Sequence, residues 1–397
     1  MNHIDQLYLQ IIYATCSHSS TDIVINAGDS QALLALAQTQ SSIPFLLPYI
    51  KEPNLISNLK YQTKLMLLNY YQIEQFTRRI ANLFDTNGIS YILLKGISLA
   101  AFYPVPEYRK LGDVDIYIND KDMFRQADLL LHSNGFQNDN ELSDHHQGYL
   151  YKVPGTGRTM VLELHYRIVG LYQYAPANQI VDTVFSFDAI APVFQTINGR
   201  SYPVLPPTEY TFYMLHHMLK HYLYSGFGIR LLLDFVFYLE HNYTSIDFNK
   251  IHDWCTESKI LHLYEIIIET CRLYLGLPKT IDPKIHYDQK DCENFITQLL
   301  SDGDVNQNNS QRLVGSSSYQ KINLLTYFKE GHVQMHVRFP KLGKYPILWP
   351  ILWLITLICF LYNNHAVRNT TLAKTLRDFK HDNQKSKLVK IFDNSNS

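Results

Sequence analysis

Two aspartates one residue apart, Asp113 and Asp115, sit in the apolar run LGDVDIYI. Side chains alternate faces along a strand, so both carboxylates leave on one face while Val114 and Ile116 leave on the other. Like charges so placed repel each other unless a cation lies between them. A divalent metal is the usual remedy, and hard oxygen ligands suit Mg²⁺, which shares its shell with substrate phosphates. A further carboxylate, Glu163, occurs in VLELHYRI, where Glu163 and His165 share one face and Leu162 and Leu164 the other. If the two strands are neighbours, Asp113, Asp115 and Glu163 converge on Mg²⁺ or Mn²⁺, the arrangement needed to move a nucleotidyl group from an NTP.

Upstream, YILLKGISLAAF reads as a strand over Tyr91–Leu94, a turn at Lys95 and Gly96, and a short helix over Ile97–Phe102. Such a turn offers backbone N–H groups and a helix N-terminus to phosphate. Lys95 and Arg109 supply charge for the triphosphate. The alternative is an ion network in which Lys95 and Arg109 pair with the aspartates. Glu163 has its own alternative, a salt bridge to Arg109 or Arg167. His165 either steadies a ligand, touches substrate, or is simply hydrogen-bonded beside Glu163.

In HHMLKHYLY, His217 and His221 lie one helical turn apart, a spacing that can bind a transition metal. No Glu occupies the HExxH position, which argues against a zinc hydrolase. Lys220 and His217 are expected to line the nucleotide cleft, against the alternative of a polar helix face with satisfied imidazoles. Arg230 and Asp234, four apart, read as an intrahelical ion pair.

The elements around these residues are legible from periodicity. Residues 1–85 are helical, with apolar residues recurring at three- and four-residue steps. Residues 86–205 alternate strands and helices and include a hairpin, HHQGYLYKV and TMVLELHYRI around the turn PGTGR. Residues 206–330 are helical again, with a polar stretch over 301–320. Residues 331–397 hold an apolar helix and a polar tail. The expected fold class is α+β, a small mixed sheet flanked by helical regions.

The chain has 397 residues with 35 basic and 36 acidic side chains, so no overall charge points to nucleic acid as a partner. Five scattered cysteines form no CxxC pair, and the N-terminus lacks a signal-peptide pattern. Reduced thiols in a cytoplasmic protein are the simplest account. The run over 345–364, YPILWPILWLITLICFLYNN, carries no charge. Pro346 and Pro350 leave Ile351–Tyr362 as the uninterrupted part, short of the roughly 20 residues a span requires. It is read as a buried or partner-facing helix, an interfacial membrane anchor, or a span, in that order.

LLKGISLAAFYPVPEYRKLGDVDIYI and VLELHYRI resemble the bacterial uncharacterised nucleotidyltransferase family, a branch of the DNA polymerase beta-like nucleotidyltransferase superfamily. The His145-His146 pair, HHMLKHYLYSGFGIRLLLDF and RFPKLGKYPILWPILWL are similar to it as well, so the resemblance covers most of residues 60–360. It implies a polymerase-beta-like palm with Asp113 and Asp115 as metal ligands and Glu163 as the third carboxylate. The superfamily's usual Gly-Ser turn is replaced here by Lys-Gly, leaving Ser98, two residues on, as the hydroxyl for phosphate contact. His146, His165, His217 and Lys220 are the expected supporting or substrate-facing residues. The activity so implied moves an NMP from an NTP such as ATP to a hydroxyl of a small molecule, sugar, peptide or protein. The alternative is an inactive nucleotide- or partner-binding protein on the same scaffold, with or without membrane association, in a biosynthetic setting.

Overall fold

The computed structural model describes residues 1–17, 23, 25–139, 143–172, 174–186, 188–224, 227–303, 332, 335–336, 339 and 342–356. The chain opens with three helices, α1 (His3–Cys16), α2 (Ala27–Thr39) and α3 (Pro53–Thr86). Asn2 caps α1 by accepting from the Asp5 N–H. Pro53 begins α3, where its missing N–H would have had no helical partner. One stripe of α3 is buried, including Tyr70, Ile73, Phe76, Ile80 and Phe84, as the three- and four-residue recurrence requires.

The sheet region follows as β1 (Ile92–Leu93), α4 (Ile97–Ala100), β2 (Val114–Tyr117), α5 (Lys121–Ser133), β3 (Phe136–Asn138), β4 (His146–Lys152) and β5 (Thr159–His165). The first strand and first short helix are both briefer than the sequence suggests; α4 is a single turn. Asp120 caps α5, and the helix stops at Asn134. Strand order is β1-β2-β5-β4-β3. β2 and β5 run parallel, and the other neighbours are antiparallel, so the sheet is mixed as expected. Its apolar face, with Val114, Ile116, Leu162 and Leu164 buried, lies toward α3. There Phe76 stacks on Phe136 and Tyr151, with ring centroids 5.9 and 5.8 Å away.

After α6 (Ala175–Val184) comes a separate ribbon, β6 (Val193–Ile197) and β7 (Arg200–Val204). The helices α7 (Pro207–Tyr224), α8 (Ile229–Asn242), α9 (Phe248–Glu257), α10 (Leu261–Leu275) and α11 (Gln289–Asp302) complete the α+β architecture. One continuous buried core runs from Leu7 to Leu300, with α1 packed on α10. Gln40, fully buried, ties the N-terminal helices to α8 and α11. Its amide donates to the Leu300 carbonyl at 2.8 Å, and its oxygen accepts from the Ile229 N–H at 2.8 Å.

The charge-free run over 345–364 is described as far as residue 356, and 349–356 is helical. Leu352 is buried while Ile347, Ile351 and Leu354 are exposed. Trp349 donates to the Gly343 carbonyl at 2.8 Å, holding the start of this segment. No described helix is long and apolar enough to cross a membrane. The rest of the segment, Cys359 included, lies outside the described residues. The four described cysteines, Cys16, Cys255, Cys271 and Cys292, are buried and free.

Replacing Gln40 with Leu strands a buried N–H and a buried carbonyl at once. At about 1–3 kcal/mol for each unsatisfied group, Gln40→Leu is expected to cost about 2–5 kcal/mol, read as a lower urea midpoint at unchanged slope.

Candidate functional site

The parallel pairing of β2 with β5 sets the site. In that register Asp115 lies opposite Glu163, and Tyr117 opposite His165. On the other side of β5, His146 pairs with His165 and Gly148 with Glu163. At Gly148 the Asp139 carboxylate fills the space a Cβ would take, 1.7 Å from its Oδ2. Gly96 is required for its backbone, since φ of +67° favours glycine as the chain leaves β1. That turn delivers Lys95 to the sheet's polar face.

The polar side chains then meet. Lys95 Nζ donates to Asp115 Oδ1 at 2.8 Å, and His165 Nε2 donates to the same oxygen at 3.1 Å. His165 Nε2 also lies 3.4 Å from Glu163 Oε2, and His146 Nε2 lies 3.8 Å from Glu163 Oε1. Ligand atoms of Asp115, Glu163 and His165 fall within 4.8 Å of one another, as do those of His145, His146 and His165. Lys95, Asp115, His145, Glu163 and His165 floor a cleft of about 390 Å³ whose lining also includes Asp113 and Gly96 but not His146. Across it, α7 and α8 contribute Tyr213, His217, Lys220, His221 and Arg230. Acids on the sheet thus face bases on the helices.

Proton affinities separate along this floor. Burial and the neighbouring Asp115 carboxylate push Asp113 up to about 6. Against the upward pull of burial, Lys95 and then His165 carry Asp115 well below the ordinary carboxylate range. Glu163 is likewise drawn down to about 2, with the upward effect of burial outweighed chiefly by the His165 hydrogen bond. His165 is raised: burial opposes the charge, but hydrogen bonds to Asp115 and Glu163 prevail. On the helix side burial, aided by Lys95, lowers Lys220 and takes His217 well below the usual imidazole range.

Several sequence expectations need correction. Ser98 is not a phosphate contact. Its hydroxyl is fully buried, donates to the Leu94 and Lys95 carbonyls, and lies 2.8 Å from the Tyr210 hydroxyl. α4 is too short to carry a helix dipole toward phosphate, which leaves Gly96 a turn residue at the cleft edge. Lys95 lines the cleft, but its ammonium is engaged by Asp115, as in the ion-network alternative. Arg109 reaches the cleft wall with its guanidinium turned to Asp234, Nε to Oδ1 at 2.7 Å and Nη2 to Oδ2 at 2.8 Å. Tyr103 donates to the same carboxylate at 2.7 Å. Asp234 is therefore chiefly Arg109's partner, and the expected intrahelical pair with Arg230 is a looser 3.9 Å contact.

Asp115 and Glu163 lie within ligand reach of each other with His165 among them, while Asp113 lines the same cleft outside that group; His146 approaches Glu163, and His217 and Lys220 line the far wall. His216 belongs to the core, fully buried with Nδ1 2.8 Å from the Tyr172 hydroxyl. Sequence reasoning missed Asp144 and noted His145 only as half of the His145-His146 pair, without a role in the site. His145 Nδ1 donates to Asp144 Oδ1 at 2.8 Å, and His145 Nε2 accepts from Lys220 Nζ at 2.8 Å. The run Asp144-His145-His146 was the available signal. Lys110 and Arg230, also in the lining, carried none beyond their charge.

A mixed sheet whose paired acids face a basic helical wall across a cleft is the kind of site that handles a cation and a phosphorylated substrate. Residues 26–276 match the uncharacterised nucleotidyltransferase family, and the chain belongs to that family. No curated protein matches it. Among solved structures, it is similar to an antigenic nucleotidyltransferase-like protein from Paracoccidioides brasiliensis. The identity is 17% and the TM-score 0.34, over 54% of this chain and 96% of that one.

Two outcomes follow. Arg109→Met strands Asp234 in the core at a cost of about 3–5 kcal/mol, and the double variant with Asp234→Leu recovers most of it; a double-mutant cycle by chemical unfolding checks this. Asp113, whose value rises from 3.8 to about 6 on folding, favours the folded state at low pH and loses that contribution as pH climbs through this window. Glu163, depressed, acts only below its ordinary range. Without divalent cation, Asp113→Asn is expected to remove a fall in stability on the order of 2 kcal/mol between acid and neutral pH, read by urea unfolding across that range.

Proposed function

We propose that the protein is a divalent-cation-dependent nucleotidyltransferase that moves an NMP from an NTP to a hydroxyl of a small-molecule, sugar, peptide or protein acceptor. The observation that carries this reading is the register of β2 against β5, which sets Asp115 beside Glu163 at the floor of a cleft walled by bases. The donor set fits a cation: carboxylates on one face, two of them with an imidazole inside ligand reach. Asp113, Asp115 and Glu163 would hold it, and it would neutralise triphosphate charge and polarise the α-phosphoryl group.

The chain's own residues take the remaining tasks. Lys220 and Arg230 on the helical wall offer positive charge to the triphosphate, with Lys110 at the cleft edge. His217, held neutral, is available to the base or sugar as a hydrogen-bonding group. Lys95 keeps Asp115 ionised and fixed, so the carboxylate is preorganised before substrate arrives. The acceptor's proton passes to a carboxylate on the floor as its oxygen attacks the α-phosphorus and pyrophosphate departs.

A second reading, a nucleotide-binding protein without transfer activity, is favoured by one contact: the Lys95 ammonium already on Asp115. Pyrophosphate release above background, from a panel of NTPs and acceptors, separates the two. For the leading reading, calorimetry with ATP and Mg²⁺ or Mn²⁺ is expected to show cation-dependent binding that weakens at least about tenfold in Asp115→Asn. A flat wild-type titration with either cation sinks it.

A further inference from the structure

His165 is more than a neighbour of the carboxylates. It stands two residues from Glu163 on the same face of β5, beside Tyr117 of β2 on one side and His146 of β4 on the other. Its side chain is only 4% exposed, so its position is fixed by packing. Nδ1 is buried with no hydrogen-bond partner among the described residues, and the ring's polar contacts there are made through Nε2. That atom faces Asp115 Oδ1 at 3.1 Å and Glu163 Oε2 at 3.4 Å.

Those separations have a geometric meaning. In a shell with metal–ligand distances near 2.1–2.2 Å, adjacent donors stand roughly 3.0–3.5 Å apart. The two separations from Nε2 already have that length, and ligand atoms of all three residues lie within 4.8 Å of one another. Resting on the proposed nucleotidyl-transfer reading, we propose that His165 Nε2 is a direct ligand of the catalytic cation, alongside Asp115 and Glu163, and that this nitrogen makes the site select Mn²⁺ over Mg²⁺.

The selectivity follows from the donor. Mg²⁺ holds oxygen ligands and water and accepts imidazole poorly. Mn²⁺ accepts the same octahedral geometry and tolerates a nitrogen in a shell otherwise made of oxygen. Asp113, just ahead of β2 in the cleft lining, is placed to complete the shell.

The test uses full-length protein and Mn²⁺ alone, then Mg²⁺ alone, by calorimetry and by pulsed electron paramagnetic resonance. Wild type is expected to bind Mn²⁺ at least tenfold more tightly than Mg²⁺ and to show ¹⁴N modulation from a coordinated imidazole. His165→Ala should lose that modulation and most of the preference, and His165→Asp should favour Mg²⁺ instead. His165→Gln, closer in size, serves if the smaller side chain fails to fold. Bound Mn²⁺ without ¹⁴N modulation, or modulation that persists in a folded His165 variant, overturns the assignment while leaving nucleotidyl transfer standing. Failure of either ion to bind wild type, even with ATP present, overturns both.

Discussion

Asp115 carries the arrangement. Its side chain is 1% exposed, and one of its oxygens accepts from both an ammonium and an imidazole. A buried carboxylate so placed is tolerable only because those donors offset the loss of water. Remove them and the neighbouring Asp113 and Glu163 would repel it with little screening. The polar floor of the sheet is thus a balanced set of charges in which each member is held by the others. That balance also explains why proton affinities diverge: Asp115 has captured the nearest donors, and Asp113 is left close to two negative neighbours.

The frame around this floor is built with the same economy of charge. Arg109 comes from the loop before β2, and Asp234 from the middle of α8, so their bidentate contact locks the sheet region to the helical wall. Buried Tyr103 satisfies the same carboxylate. Tyr210 on α7 performs a similar task at the strand end, donating to the Leu94 carbonyl at 2.6 Å beside Ser98. These contacts leave the cleft between two rigid walls. Positioning of reactive groups to within fractions of an ångström depends on that kind of support.

The Lys95-Gly96 turn divides its tasks between backbone and side chain. Gly96 retains the positive φ that the turn needs, and Lys95 places a permanent cation against the acidic cluster. On the opposite wall Asp144 and His145 hold the Lys220 ammonium in the cleft. In this chain, charge stabilisation is divided between the two sides of the site.

Local chemistry was legible without coordinates. Alternation alone put Glu163 with His165, because a strand's period of two does not depend on what lies beside it; Asp113 falls just ahead of β2. Glycine and proline marked the hairpin turn, and apolar recurrence marked the long helices. Pairings across great sequence distance were not legible. Nothing in LGDVDIYI says that β5 lies beside it in parallel, nor that Arg109 would meet Asp234 rather than phosphate, nor that Ser98 would turn inward to Tyr210. Charge and hydroxyl groups have many acceptable partners, and only packing around one shared core selects among them. The residue types fixed what reaction was available; the fold decided which donors were already taken.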